Sequence, residues 1–438
     1  MVNWTAEKDS PNPIIITNRP AFRSSRFKTV YRWLDYKRQE DGAEGLWRIH
    51  DTLYDLTEFV DRHPGGAEWL QMTKGTDITE AFETHHLTNK AANILPSYKV
   101  RAAREVRNIK LTFDETGFYR TLKRRVAGKL NSLDQTPKRR SEIIQDALLA
   151  TSFLLAFLAV KFNSLLVATT CGLAICWVMN CAHNFYHRKD TWRVLAYNLL
   201  LLTYREQRIS HVLSHHMYPN SVLDLEILLF EPFLCWLPAP WNFIQRYGSW
   251  FYEPIVFTLI FFVEFSKRFV ELLLSGKNVF RAEDLVSLIL PIFMYTTGSC
   301  GFATVFKIWV VIVLSASLFF GFISLNAAHH HPDIAHSGDL IPADIDFGVY
   351  QLLTVIDRSD ITDPHISILT SFGHHSLHHM FPTLDHALLP QLFPVFLETC
   401  TEFNMVHRRY PWWRMIMGQY KQLARIEYRS HCIPKTNL

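Results

Sequence analysis

Long apolar runs between Ala147 and Asn326 pose the central folding problem of this chain. A bilayer has no water to satisfy backbone N–H and C=O groups, so a segment lodged there closes its hydrogen bonds within itself, as a helix does. Ala147–Val160 and Ser164–Ala182 are separated only by Lys161-Phe162-Asn163 and read as a helical hairpin. Leu285–Phe306 and Ile308–Asn326 form a second pair around Lys307. Trp250–Phe265 is also apolar but carries Glu253 and Glu264, which favours a helix lying in the membrane interface.

The hydrophobic share of 48%, with 32 Phe and 12 Trp, fits membrane embedding. No apolar leader of secretory type stands in the first 45 residues, so the N-terminus is expected to be cytosolic. The seven cysteines form no CxxC pair and read as reduced packing residues.

Charge is unevenly spread. Asp41–Lys90 carries ten acidic residues against four basic, and Arg101–Arg140 twelve basic against four acidic. A basic collar before the first apolar run is what a cytosolic flank predicts, and no aromatic interleaving or groove-reading motif accompanies it, so nucleic acid is not an expected partner.

Histidines supply the chemistry. Fifteen of the 21 lie between His183 and His386, and eight fall into three boxes: His183 and His187; His211, His215 and His216; His375, His378 and His379. Residues three and four apart share a helix face, so each box can aim imidazoles at a common point. Asn326 and His330, four apart, make a fourth edge, with His329 and His331 as competitors of His330. Clustered imidazoles suit iron and are poor ligands for calcium or magnesium. If all boxes are to meet, an even number of crossings separates box one from Asn326, which predicts four crossings in all. His336, His365, His374, His386, His407 and His431 read as supporting or surface groups.

A separate signal lies upstream. Tyr54-Asp55-Leu56-Thr57-Glu58-Phe59 leads to His63-Pro64-Gly65-Gly66, and Phe82-Glu83-Thr84-His85-His86 follows. Two neutral imidazoles on opposite faces of a haem saturate its iron, which then carries electrons but binds no oxygen. With Trp47 and the closing Tyr98-Lys99-Val100-Arg101, this segment resembles cytochrome b5 across about 55 residues. The resemblance implies haem b with axial ligands His63 and His86, the latter selected over His85 by its spacing from Phe82.

The boxes, their continuations (Met217-Tyr218-Pro219-Asn220 and Met380-Phe381-Pro382) and the Asn326/His330 pair resemble the membrane fatty-acid desaturases with an N-terminal b5 domain. Within that group the chain is similar to the desaturase-like cytochrome b5-related members. The resemblance covers roughly Trp47 to Pro382. It implies an N-terminal α+β cytochrome b5-like haem domain fused to an all-α, four-crossing membrane desaturase-like domain. The expected division is a tail over 1–40, the haem domain over 41–105, a basic linker over 106–142, the membrane domain over 143–390 and a cytosolic tail over 391–438.

Two non-haem irons, held by His183, His187, His211, His215, His216, Asn326, His330, His375, His378 and His379, are expected to use O2 to desaturate an acyl lipid or acyl-CoA. Electrons would come from an NADH-dependent cytochrome b5 reductase, whose basic face the acidic domain would attract. Residence in the endoplasmic reticulum, with haem domain and boxes cytosolic, follows from the family. Family members that act on the carboxyl side of an existing double bond begin box three with Gln; here His375 stands there, as in acyl-CoA desaturases. Lipid hydroxylation on the same irons, and a non-catalytic membrane-anchored haem carrier, are the competing readings.

Overall fold

The computed structural model describes residues 28–276, 278–325 and 328–431. Asn326 lies outside them. The stretch read as an N-terminal tail contains helix α1 (Val30–Glu40), capped by the Thr29 hydroxyl, which accepts from Arg32 N–H. Trp33 and Leu34 are buried, and Trp33 Nε1 donates to Leu223 O at 2.9 Å. This helix wedges between haem domain and membrane domain, a role that its short amphipathic span did not announce.

Strands β1 (Trp47–Ile49), β2 (Thr52–Tyr54) and β3 (Lys99–Ala102) form an antiparallel sheet in the order β1-β2-β3. Helices α2 (Ala67–Thr73), α3 (Thr79–His85) and α4 (Lys90–Ile94) complete the small domain. Trp47 is its buried centre, with Nε1 donating to Leu70 O at 3.1 Å. The segment read as a linker folds too: α5 (Phe118–Lys129) buries Phe118, Tyr119, Leu122 and Val126.

Three helical stretches among the described residues are long and apolar enough to cross a membrane. They are α6 (Thr136–Lys161), α7 (Leu165–Tyr186) and the run Phe302–Leu325, in which a π-helical end follows α12 (Phe302–Phe320). Small residues set their spacing, as in other membrane helix contacts. A Cβ on Gly172 would stand 2.3 Å from Ser315 Oγ and 2.9 Å from Ile312 O, so α7 and α12 touch through backbone there.

Helices α8 (Tyr204–Gln207) and α9 (Leu225–Leu228) flank box two. Helix α10 (Ser249–Ser275) is 27 residues long, or about 40 Å. Both of its ends are tied by hydrogen bonds to other elements. At the first, Trp250 Nε1 donates to Tyr420 O at 3.1 Å; at the second, Arg268 meets Glu206 at 2.9 Å and Glu271 accepts from Thr29 at 2.9 Å. On this helix Phe251 and Leu273 are each 82% exposed.

The expected crossing Leu285–Phe306 is not one long helix. A 3-10 segment, Ala282–Leu288, leads into the ten-residue α11 (Ile289–Gly298), and a turn at Ser299 in the left-handed region separates it from α12. Asp284 reaches Arg268 at one end, while Gly298 presses on Val160, near the α6–α7 turn, at the other.

Helices α13 (Phe347–Thr354), α14 (His365–Ser371) and α15 (His375–Met380) carry box three and its supports. The stretch read as a C-terminal tail forms α16 (Leu389–Glu402) and α17 (Trp412–Leu423). Strands β4 (Asp357–Arg358) and β5 (Arg409–Tyr410) pair in parallel and pin it beside box three.

Candidate metal centre and haem cavity

The glycines of the His63 turn act through backbone. Gly66 sits at φ 109°, a conformation that glycine alone adopts without strain, and its carbonyl turns back to accept from His63 Nδ1 at 2.9 Å. A Cβ on Gly65 would stand 2.9 Å from His63 Cε1. At the end of α3, His86 Nδ1 bonds Phe82 O at 2.9 Å, so both rings keep Nε2 free as an acceptor.

The His63 and His86 ring centroids are 6.2 Å apart. An iron held between two Nε2 atoms at about 2.0 Å each, with about 1.1 Å from nitrogen to ring centre, needs about 6.2 Å. A cavity of about 560 Å³ opens between them, walled by Phe59, Leu70, Ile78 and Leu95. The residues thus fit a bis-histidine haem. His85 turns from that axis: its Nδ1 bonds Ala81 O and the Thr84 hydroxyl, both at 3.0 Å. Burial and the neighbouring His86 push its imidazole down to about 3, so it is neutral.

Nine imidazoles converge in two groups. His183, His187, His211, His216 and His378 form the first; His215, His329, His375 and His379 form the second. All nine are buried. In the first group, Nε2–Nε2 distances are 2.8 Å for His183–His211, 3.0 Å for His183–His187, 2.9 Å for His211–His216 and 3.2 Å for His183–His378. In the second they are 3.0 Å for His329–His375, 3.1 Å for His329–His379 and 3.2 Å for His375–His379. Two nitrogens at right angles about one metal stand about 3.0 Å apart, a tetrahedral pair about 3.4 Å. The spacing fits the right-angled coordination open to iron better than four-coordinate zinc.

Boxes two and three divide their histidines between the groups, and box one does not. Box one runs off α7 with both residues in the first group. Box two lies on a π-helical turn, Arg208–His215, not on the α-helix that its spacing predicts. Box three gives His378 to the first group and His375 and His379 to the second. His330, expected at the fourth edge, stands outside both groups: its ring stacks on Trp236 at 4.1 Å. His329 takes that place, oriented by Nδ1 on Thr354 O at 3.1 Å. His331 packs on Tyr410.

Carboxylates stand behind the imidazoles, where they fix the tautomer and raise ligand basicity. His211 Nδ1 bonds Glu226 at 2.7 Å, His215 Nδ1 bonds Asp224 at 2.9 Å, and His379 Nδ1 bonds Gln351 Oε1 at 3.0 Å. Burial alone would raise Glu226, but His211 and His215 hold its carboxyl down to about 2. Sequence reading missed all three supports. Asp224 and Glu226 sit nine and eleven residues past His215, at the start of α9, and Gln351 is 28 residues from His379; only the extra acid after HHMYPN hinted at the first two. His386 rests its ring on His378 at 4.2 Å and is held by Asn184, whose amide in turn donates to Asp385 at 3.0 Å.

The two sites share a wall. His187 belongs to the first imidazole group and also lines the haem cavity, together with Arg188, Lys189, Leu213 and Thr383 from the membrane domain. Ion pairs lock the domains in that position. Glu68 meets Arg208 at 2.6 Å and Arg205 at 2.9 Å; Glu83 meets Arg120 at 2.7 Å and Lys123 at 3.0 Å. Much of the acidic charge, and part of the basic collar, is therefore spent on internal docking, while Glu58 and Asp61 stay exposed near His63.

The family described as "Fatty acid desaturase" matches residues 134–411, and that described as "Cytochrome b5-like Heme/Steroid binding domain" matches 33–104. The chain is 46% identical over 417 residues to the "Cytochrome b5-related protein" of Drosophila melanogaster, covering 94% of this chain and 95% of that one. It is 24% identical to "Delta(5) fatty acid desaturase A" of Dictyostelium discoideum, over 87% of this chain and 90% of that one. To the "Acyl-lipid (8-3)-desaturase" of Mortierella alpina it is 23% identical, over 86% and 92%. No solved structure matches. The chain belongs to the fatty acid desaturase family, in the form that carries a cytochrome b5-like haem domain before its membrane helices.

Proposed function

We propose that the protein is an O2-dependent fatty acyl desaturase, with two non-haem irons in the imidazole groups and haem b between His63 and His86. The observation that carries this reading is the convergence of nine buried imidazoles, at right-angle spacing, against a haem cavity of the same chain. His183, His187, His211, His216 and His378 would hold one iron; His215, His329, His375 and His379 the other. Such irons, when bound and reduced, would activate O2, which supplies the oxidising power that an unactivated methylene requires and that acid-base chemistry lacks.

The remaining work falls to the chain. Asp224, Glu226 and Gln351 hold three imidazoles in their ligand tautomers. Phe320, Leu325 and Phe372 line a small cavity beside His183, His211, His215, His329 and His375, and a second cavity shares its Gln207, Glu226, Phe320 and Leu325 walls and leads towards α1 and α10. An acyl chain entering from that side would bring a methylene to the imidazole groups. The haem domain, fixed by Glu68 and Glu83, delivers electrons that an NADH-dependent reductase supplies through the exposed side near Glu58 and Asp61.

Four passes through the membrane fit the same reading. The composite segment Ala282–Gly298 supplies the fourth, bringing every box back to the layer that holds the haem domain, on the cytosolic face of the endoplasmic reticulum.

Lipid profiling of cells expressing the chain tests the function, with His378→Ala and His379→Ala as controls. New double bonds that both substitutions abolish are expected. A hydroxylated lipid without a new double bond, or profiles identical in all three, would overturn the reading.

A further inference from the structure

Several ring nitrogens of the imidazole groups lack a partner. His183, His187, His216, His375 and His378 each leave a buried Nδ1 unbonded. Metal-bound imidazole nearly always donates that second N–H to an acceptor. One of the five, His187, also lines the haem cavity, and there a complementary orphan stands. His85 lines the same cavity, and its Nε2 is buried without a partner.

The tautomers are complementary. The Thr84 hydroxyl donates to Glu80 O at 2.9 Å, so it accepts from His85 Nδ1, which also faces Ala81 O; His85 therefore carries its proton on Nδ1. Its Nε2 is an acceptor with no donor. His187 turns Nε2 into the first group, at 3.0 Å from His183 Nε2, so its proton is on Nδ1: a donor with no acceptor. Each orphan alone is costly to bury, and each is the partner that the other lacks.

We propose that His85 Nε2 accepts the Nδ1–H of His187 through one bridging water, and so positions a ligand of the first metal from within the haem domain. The inference rests on reading the imidazole groups as a metal centre. It gives the adjacent pair separate tasks: His86 binds haem, and His85 reaches across the domain boundary. The peptide between them and the water bridge to His187 make one continuous route from haem ligand to metal ligand. It also explains why the haem domain is clamped by Glu68 and Glu83, since a freely tethered domain could not hold such a bridge.

The test uses the full-length, haem-loaded protein in nanodiscs, stripped of non-haem metal and titrated with Co2+. His85→Phe removes the acceptor and is expected to weaken the first-group Co2+ site about 10-fold to 100-fold, the usual effect of losing an outer-shell partner. His85→Gln, whose amide oxygen can accept, stays within about threefold of wild type. His85→Asn, one methylene shorter, keeps polarity but withdraws the acceptor and gives the same loss as Phe, which covers a folding failure of the Phe variant. Haem content and the low-spin haem spectrum stay unchanged throughout.

Unchanged Co2+ affinity in both His85→Phe and His85→Asn overturns the inference. Loss of the low-spin spectrum in all three variants also overturns it, because His85 would then be the axial ligand. The readout needs no turnover: a wild-type protein that makes no double bond but shows this Co2+ pattern would refute the proposed function and leave the inference standing.

Discussion

His211 and His216 bring their Nε2 atoms within 2.9 Å of one another, although they stand five positions apart in the chain. In an α-helix they would point apart, and His211 would share its face with His215. The π-helical turn Arg208–His215 widens the repeat, with His216 N–H bonded to His211 O at 2.8 Å, so residues five apart align. His215 is thereby turned to the other group. One short segment thus serves both groups, pairing His211 with His216 where an α-helix of the same sequence would pair His211 with His215.

The partition assigns distinct losses to single substitutions. His329→Ala should lose one of the two non-haem irons, because His329 is one of only four imidazoles in its group among the described residues. His330→Ala should keep both, since that ring stacks on Trp236 away from either group. Iron counting on the purified proteins decides it, and loss of iron in His330→Ala with none in His329→Ala would reverse the assignment.

Local spacing made the box histidines legible as groups, because HxxxH, HxxxHH and HxxHH state which imidazoles can act together, while the pairing of His63 with His86 came from the resemblance to cytochrome b5. The fate of each box was not legible. The π-helical turn that divides box two depends on tertiary contacts around Arg208, whose guanidinium bonds Tyr186 O, Arg188 O and Glu68. Among three consecutive histidines, the choice of His329 is made by Thr354 O and Trp236, both distant in sequence. The clamp by Glu68 and Glu83 was hidden for the same reason: composition shows an acidic segment and a basic one, but not that they face each other.

Asp224 should matter to metal binding as much as some ligands do. Its carboxylate bonds His215 Nδ1 and also accepts from Asn220 N–H at 2.8 Å, so it fixes both the ring and the loop after box two. Asp224→Asn should weaken metal at the second group about 10-fold to 100-fold. Metal titration checks this, and an affinity unchanged within about twofold would deny the carboxylate its role.

Gly66→Ala should cost the protein its haem. A side chain at φ 109° carries strain of about 1–3 kcal/mol, and relief of that strain would rotate away the carbonyl that holds His63 Nδ1. The expected result is weaker haem retention with the imidazole groups and their iron intact. Absorption spectra and iron counts on one preparation separate the two sites, and full haem occupancy would show that the turn tolerates a side chain.

The Glu83 clamp should fail in acid. Burial alone would raise this carboxyl, but His50, Lys123 and Arg120 hold it down to about 2 from an ordinary 4.5. A carboxylate whose folded value is depressed adds stability that is fully present above its ordinary value and disappears as pH falls through the folded value. Wild type should therefore melt above Glu83→Gln by a constant margin from pH 7 to about pH 5, and the margin should close between about pH 4.5 and about pH 2. Thermal unfolding of both proteins across that range checks the sign. A margin that widens in acid would mean that Glu83 is bound as the neutral acid, and that the collar cations hold the haem domain through other groups.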